Sequence, residues 1–176
     1  MKSGTTTGAA TAPMTRGVLF VHSAPSAVCP HIEWAVGGVL DARPNLQGSA
    51  QAAEAGSWRT EVSWVGPAGS GARMASALRG WGRLRFEVTE EPSSAADGAR
   101  WSHTPDLGIH HAVVGVHGDV LIGEDRLRAA IDAAAGDATA LSDRLDQVLG
   151  RAWDDELEAF RCAGDGAPVR WLHRVG

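Results

Sequence analysis

The run GVLFVH at residues 17–22 is apolar as far as its closing histidine. A short apolar run that is rich in branched side chains is typical of a strand covered on both faces of a sheet. We therefore expect a central strand here, and the chain that follows it supplies the rest of the fold.

A helix is predicted directly after this strand. Beyond the turn-forming SAPS at residues 23–26, apolar residues recur at helical spacing as far as Val39. Ser26 can cap the first turn, and Pro30 is tolerated in it. The pattern predicts a helix over residues 27–40, followed at 41–56 by a surface connection that carries Pro, Gly and Ser.

Two further strands are indicated by side chains that alternate between apolar and polar, over residues 58–64 and 84–89. Between them, the loop GPAGSG at residues 66–71 opens a helical apolar face that ends near Gly80. Strand, glycine loop, helix and strand together predict a crossover unit.

More strands are predicted in the second half of the chain. They are indicated by Trp101, by the apolar run at 109–116 and by residues 120–122, with His117-Gly118 as a hairpin turn. The alternating VRWLHRV at residues 169–175 should return to the sheet.

Three helices are predicted between these strands and the end of the chain. The first covers 127–134 and the second 139–149, and Gly136 and Gly150 are expected to close them. A short acidic helix then carries Trp153, Leu157 and Phe160. We predict an α+β fold with a mixed β-sheet whose helices pack largely on one face.

The 176 residues suit a single domain with one core. Residues 1–13 are small and polar and cannot bury enough apolar surface to offset the entropy of ordering. We expect a flexible N-terminal tail over 1–13 and a single α+β domain over 14–176, with Met14 as a candidate natural start.

The composition limits the classes of function. A formal net charge of −5 repels nucleic acid backbones and anionic lipid. The sequence has no apolar run of about 18 residues that could span a bilayer. We therefore expect no nucleic acid partner and no membrane insertion, and we expect a cytoplasmic location with reduced cysteines and no cofactor or metal.

Three long stretches of the chain resemble an actinobacterial family known as domain of unknown function 3145. They are TRGVLFVHSAPSAVCPHIEWAVGGVL from residue 15, GPAGSGARMASALRGWGRLRFEVTEEPS from residue 66 and WDDELEAFRCAGDGAPVRWLHRV from residue 153. The resemblance covers nearly all of the chain beyond the tail. It implies an actinobacterial origin and a partner linked to fatty-acid metabolism, and it implies no particular reaction.

The loop at residues 66–71 is the candidate ligand-binding site. Because it follows a strand and opens a helix, its backbone N–H groups and the helix dipole can hold a phosphate or carboxylate. We assign the cradle to Gly66, Gly69, Ser70 and Gly71, and Arg73 adds a forked donor. The loop lacks the ending of a P-loop and the spacing of a dinucleotide fingerprint, so an ordinary glycine-rich turn stays open.

His22 and Cys29 form the candidate catalytic pair. They lie on either side of the strand-to-helix turn, where an imidazole can lower the pKa of a thiol. His31 and Glu33 are close in sequence, but residues two apart on a helix point away from each other, so no converging metal site is expected. A structural cysteine with a histidine near the helix start is the alternative.

The remaining histidines, acidic residues and tryptophans give weaker signals. His110 and His111 are consecutive and face opposite sides of a strand, so at most one can enter a given pocket. The acidic run at 154–158 is typical of a solvated helix start. The seven tryptophans suit cores as well as interfaces, and we expect them in the core first.

No catalytic set emerges from these residues. The leading prediction is a noncatalytic binding or accessory protein that associates with another protein, with its own copies or with a small anionic ligand. One alternative is a small enzyme acting on an acyl, thioester or phosphate-bearing substrate at the 66–71 loop. A second alternative is a structural subunit of a larger complex, which a sizeable apolar surface would indicate.

Overall fold

The computed structural model describes residues 13–94 and 96–163. Its strands are β1 (Met14–Pro25), β2 (Gly48–Ala50), β3 (Ser57–Pro67), β4 (Arg85–Glu90), β5 (Gly98–Thr104), β6 (Gly108–Val114) and β7 (Val120–Leu121). Its helices are α1 (Cys29–Leu40), α2 (Ser70–Leu78), α3 (Glu124–Ala134), α4 (Ala138–Leu149) and α5 (Arg151–Arg161). These elements form a single α+β domain, which confirms the predicted class.

The strands form one sheet in the order β2-β3-β1-β4-β5-β6-β7, with β1 inside it as predicted. Every neighbouring pair is antiparallel, whereas we expected a mixed sheet. The predicted crossover explains the difference. Since β3 and β4 both run antiparallel to β1, they are parallel to each other, and α2 connects them across β1 so that they never become neighbours.

The hydrophobic core lies between one face of the sheet and helices α1 and α2. Leu19 and Val21 of β1 and Phe86 and Val88 of β4 point to this face, because paired residues of antiparallel neighbours share a side. The helices contribute fully buried apolar side chains at Ile32, Val36, Met74 and Leu78. These are the positions that the helical spacing predicts.

The opposite face of the sheet is covered in part by α5, so helices lie on both faces and not largely on one as expected. Glu87 lies between Phe86 and Val88 on β4 and therefore points to this second face. Leu157 of α5 is fully buried, and Arg85 packs over the ring of Phe160 at 4.4 Å. Beneath the helix, Arg161 of α5 also meets Glu87 of β4.

Two local predictions differ from the structure, and two others are not tested by it. Ser26 lies in a short 3-10 turn and does not cap α1, which begins after Val28 without a side-chain cap. The connection at 41–56 contains the edge strand β2. The segments at 1–12 and 164–176, which include most of the predicted tail and the predicted closing strand, lie outside the described residues.

The remaining elements follow the predicted pattern. Gly118 has the positive φ of 89° that the β6–β7 turn needs, and Gly150 ends α4 at φ 84°. No helix in the described part of the chain is long and apolar enough to cross a membrane.

Candidate functional site

An open groove of about 730 Å³ lies where β1 ends and β4 begins. Its walls are mostly apolar and come from the end of β1, the start of α1 and the turn after α2. The lining residues are Pro25, Val28, His31, Trp34, Trp81, Gly82, Arg83 and Leu84. We call this feature the tryptophan groove.

Trp34 stands out from its own helix. The core side of α1 is made by Ile32 and Val36, and Trp34 lies off that stripe with 80% of its surface exposed. Trp81 is half-buried against the core, and His31 meets its ring edge-on at 6.5 Å. The Trp81 side of the groove is therefore packed against the core, while the indole of Trp34 on the other side is surrounded by solvent.

The groove carries one positive charge. Arg83 is 71% exposed and reaches Glu54 at 3.7 Å, a distance at which an exposed ion pair contributes little. No carboxylate is among the lining residues in the described part of the chain. The groove therefore suits an apolar group that carries a negative charge at one end.

A buried ion cluster lies on the opposite face of the sheet, beneath α5. Its centre is Glu87, whose side chain is 1% exposed. Glu87 Oε2 lies 2.7 Å from His22 Nε2, and Arg161 donates to both Glu87 oxygens at 3.0 and 2.7 Å. Ser102 donates to Oε1 at 3.2 Å.

Glu87 and Arg161 hold each other ionised. Burial raises the pKa of Glu87, but the hydrogen bonds from His22 and Arg161 outweigh it, so its pKa lies well below the usual range. Burial lowers the pKa of Arg161, while hydrogen bonds to Glu87 and Asp154 raise it above its ordinary value. A paired, hydrogen-bonded cluster of this kind joins α5 to the sheet and offers no free base.

Arg100 extends this cluster into a second cleft, of about 470 Å³. Its side chain is 8% exposed and its Nη2 lies 3.5 Å from Asp154. Its Nε is buried and has no hydrogen-bond partner among residues 13–94 and 96–163. The cleft is lined by three arginines and four carboxylates, which are Arg100, Arg151, Arg161, Asp146, Asp154, Asp155 and Glu158. Acidic groups are in excess here, so the cleft does not attract an anion by net charge.

In the structure, the predicted ligand loop binds a carboxylate that belongs to the chain itself. The N–H groups of Gly69 and Gly71 donate to the two oxygens of Glu90, at 2.6 and 2.7 Å. A carboxylate thus lies where we expected an external anion, at the start of α2. Two N–H groups of the predicted cradle thus bind a side chain of β4.

The other members of that loop serve the turn itself. Ser70 donates to the carbonyl of Pro67 at 2.7 Å, and Arg73 donates to Ser70 Oγ at 2.9 Å. Gly66 allows close packing, because a Cβ there would lie 2.9 Å from Ser70 Oγ. The prediction of an external ligand at Gly66, Gly69, Ser70, Gly71 and Arg73 stays a prediction.

In the described part of the chain, residues 13–94 and 96–163, no hydrogen bond joins His22 to Cys29. His22 faces Glu87 beneath α5, and Gln51 donates to its carbonyl at 2.5 Å. Cys29 begins α1, and burial raises the pKa of its thiol, with Glu33 adding to the effect. Nucleophilic catalysis needs the opposite shift.

The strand histidines take part in packing. His110 and His111 lie on opposite sides of β6, as the alternation requires: His110 meets Trp153 at 4.9 Å and His111 stacks on Trp101 at 5.1 Å. His103 stacks on Phe86 at 5.0 Å. Burial lowers the pKa of all three. Within the described residues no group of three or more His, Cys, Asp or Glu could hold a metal ion.

Sequence reasoning missed both the groove and the ion cluster. Trp34 carried a usable signal, because it falls outside the apolar stripe of a helix that is otherwise well defined. Glu87 and Arg161 carried none, since 74 residues separate them and only the placement of α5 brings them together.

Comparison with known proteins adds a family. The model of one family, described as Protein of unknown function (DUF3145), matches residues 18–174. No curated protein and no solved structure matches the chain.

Proposed function

The chain belongs to the DUF3145 family, whose description states no function. From the geometry of the chain itself, we propose that it is a noncatalytic accessory protein. It binds another protein through the tryptophan groove. The observation that carries this proposal is the 80% exposure of Trp34 beside an apolar groove. The indole of Trp34 lies outside the core cluster of the described residues, and tryptophan is enriched at the centres of protein interfaces.

The shape and charge of the groove describe the partner. Its volume is in the range of ligand-binding clefts, but it is open to solvent, which suits a segment of another protein better than an enclosed small molecule. Arg83 supplies one forked donor at the rim. The expected partner segment is apolar, packs between Trp34 and Trp81, and places a carboxylate near Arg83.

The noncatalytic part of the proposal is supported by the state of the reactive groups. His22 is engaged with Glu87 in a closed cluster, and the thiol of Cys29 has a raised pKa. A small enzyme that uses this pair would have to separate His22 from Glu87 first. We place the accessory role in the cytoplasm of an actinobacterium, with a partner linked to fatty-acid metabolism, on the strength of the resemblance alone.

A small anionic ligand at the 66–71 loop is the second candidate. What favours it is that the N–H groups of Gly69 and Gly71 are already arranged around a carboxylate. An external carboxylate or phosphate would have to displace Glu90 from the start of α2. Native mass spectrometry of the purified protein tests this candidate, because a bound anion would be detected as a retained small molecule.

The main proposal is tested by replacing Trp34 and a matched control. Trp34→Ala removes the exposed indole, and Val116→Ala removes an apolar side chain that is 74% exposed in the β6–β7 turn, outside the groove. Neither change touches the core, so both variants should fold. Tagged wild-type and variant chains are purified from the native cells, and the co-purified proteins are quantified.

We expect one protein in stoichiometric amount with the wild type and with Val116→Ala, and a loss of about tenfold or more with Trp34→Ala, as for the loss of an interface hot spot. Equal recovery from all three chains would refute the groove as the binding site. A wild-type chain that purifies alone would refute the protein partner.

A further inference from the structure

Arg100 of β5 lies on the face of the sheet that α5 covers in part. It is two residues from Ser102 and therefore points to the same side as Ser102, which donates to Glu87. The Arg100 side chain is only 8% exposed, and it lines the second cleft together with residues of β7, α4 and α5. A buried guanidinium is stable only when acceptors meet its N–H groups and its charge.

These acceptors are incomplete within residues 13–94 and 96–163. Nε of Arg100 is buried and has no hydrogen-bond partner there. Nη2 lies 3.5 Å from Asp154, which is longer than the charge-assisted hydrogen bond of about 2.7–2.9 Å. Asp154 itself accepts from Arg161 at 2.8 Å, so its charge is shared with a second guanidinium. Among the described residues, Arg100 therefore lacks the forked acceptor that its planar group is suited to bind.

The cleft beside Arg100 has the size of a small-molecule site. Its volume of about 470 Å³ falls within the usual range of about 300–1,000 Å³. A buried polar group without a partner in such a cleft calls for a ligand or an ordered water. A carboxylate fits Arg100, because it accepts two parallel N–H bonds from a guanidinium.

The rim of the cleft offers the opposite charge. Asp155 of α5 is 72% exposed and lies 3.7 Å from Arg151. Glu158 of α5 is 61% exposed and lies 3.6 Å from Arg161, and it also accepts from the thiol of Cys162 at 3.2 Å. Exposed ion pairs of this length contribute little, so both carboxylates can accept an ammonium group from a ligand. With four carboxylates to three arginines, the cleft favours a ligand that brings a positive charge as well as a negative one.

We propose that this cleft binds an amino acid with an apolar side chain. Its carboxylate is held by Arg100, and its ammonium group lies near Asp155 and Glu158. Its side chain contacts Val120, which is half-buried, and Leu149, which is 40% exposed. The site is separate from the tryptophan groove and from the 66–71 loop, because it shares no lining residue with either.

Isothermal titration of the full-length chain with leucine, valine, methionine and phenylalanine tests the proposal. Ligands of this size bind with dissociation constants from about 1 mM to about 1 μM, so each titration is carried to about 10 mM. We expect at least one of the four to bind. Its amide, which lacks the carboxylate, and its deaminated acid, which lacks the ammonium group, should each bind about tenfold or more weakly.

Three variants assign the ligand to the cleft. Arg100→Met removes the guanidinium but keeps an unbranched side chain, and should weaken binding by about tenfold or more. Asp155→Asn with Glu158→Gln removes the rim charges, and should weaken binding of the amino acid but not of its deaminated acid. Arg128→Gln changes an exposed residue of α3 outside the cleft, and should leave all affinities unchanged.

Because Arg100→Met alters a buried position, the side-chain Nε–H resonance of Arg100 is also followed by NMR in the unaltered chain. The bound carboxylate should shift this resonance with the dissociation constant that the titration gives. A purely structural role of Arg100 would not produce such a shift.

No binding by any of the four amino acids would overturn the proposal. So would an Arg100→Met variant that binds as tightly as the wild type, or binding that leaves the Nε–H resonance of Arg100 in place, because the ligand would then lie elsewhere. A deaminated acid that binds as tightly as its amino acid would also contradict it, because the cleft would then be a site for a simple anion.

Discussion

At the scale of single residues, the clearest contrast is between charged side chains that are buried in ion pairs and apolar side chains that are exposed to solvent. Glu87, His22 and Arg161 are buried and satisfy one another, so they hold α5 on the sheet. Trp34 is 80% exposed and does not belong to the core cluster of the described residues. The buried group joins α5 to the sheet, and Trp34 is the residue on which we base the proposal of a protein partner.

Replacing Glu87 by Gln should destabilise the protein in a way that depends on pH. The change leaves Arg161 without its main buried counter-charge, and loss of one member of a buried pair costs about 3–5 kcal/mol. Because the pKa of Glu87 is lowered in the folded state, its contribution is complete above the unfolded value near 4.3 and is lost as the pH falls toward the folded value.

The difference in unfolding free energy between wild type and Glu87→Gln should therefore be constant at neutral pH and shrink below a pH of about 4.3. Urea denaturation over a range of pH measures it, with the exposed Asp119→Asn as the control that should change little. A difference that stays the same at low pH would show that the charge of Glu87 is not what stabilises α5.

The contacts of some residues can be predicted from the sequence, and those of others cannot. The glycine loop before α2 was predicted to present exposed N–H groups to an external anion, and those of Gly69 and Gly71 donate to the side chain of Glu90. That the anion is Glu90 could not be predicted, since the register of β4 against the loop is a tertiary property. The same holds for Arg161 and Glu87.

At the scale of elements, the helix junction at Gly150 connects α4 to α5 and so positions the cover of the second face. Gly150 has φ 84°, and a Cβ there would lie 2.5 Å from the ring of His110. Gly136, just after α3, has nearly the same φ of 86°, but apart from its chain neighbours no atom of the described residues would lie within 4 Å of a Cβ there. The two glycines therefore separate backbone strain from crowding.

Gly136→Ala should cost about 1 kcal/mol, the strain of a left-handed residue with a Cβ. Gly150→Ala should cost about 2–4 kcal/mol, because displacement of His110 is added to the same strain. Urea denaturation of the two variants measures the difference. Equal losses would mean that the His110 ring moves aside freely and that the α4–α5 junction is not fixed by this contact.

Element positions were largely predictable, and their pairing was not. Apolar periodicity located α1 and α2, which bury apolar side chains in the core. It also located α4, whose apolar side chains are half-buried or exposed. It could not show that β1 lies between β3 and β4, which turns an expected mixed sheet into an antiparallel one. Strand order depends on contacts between residues that are far apart in the sequence, and the apolar pattern of a single sequence does not reveal such contacts.

At the scale of the whole molecule, three surfaces have different roles. The core face, under α1 and α2, supplies the apolar burial that folds the domain. The second face is held by ion pairs beneath α5. The tryptophan groove lies at the end of the sheet where β1 and β4 meet, and it is the surface that we assign to a partner.

A photoreactive amino acid placed at position 34 in living cells tests this assignment most directly, with the same residue at position 116 as the control. Both positions are exposed, at 80% and 74%, and only the first lies in the groove. Binding through the groove predicts one discrete crosslinked protein from position 34 and none of that size from position 116. No adduct at position 34, or the same adduct at both positions, would contradict it.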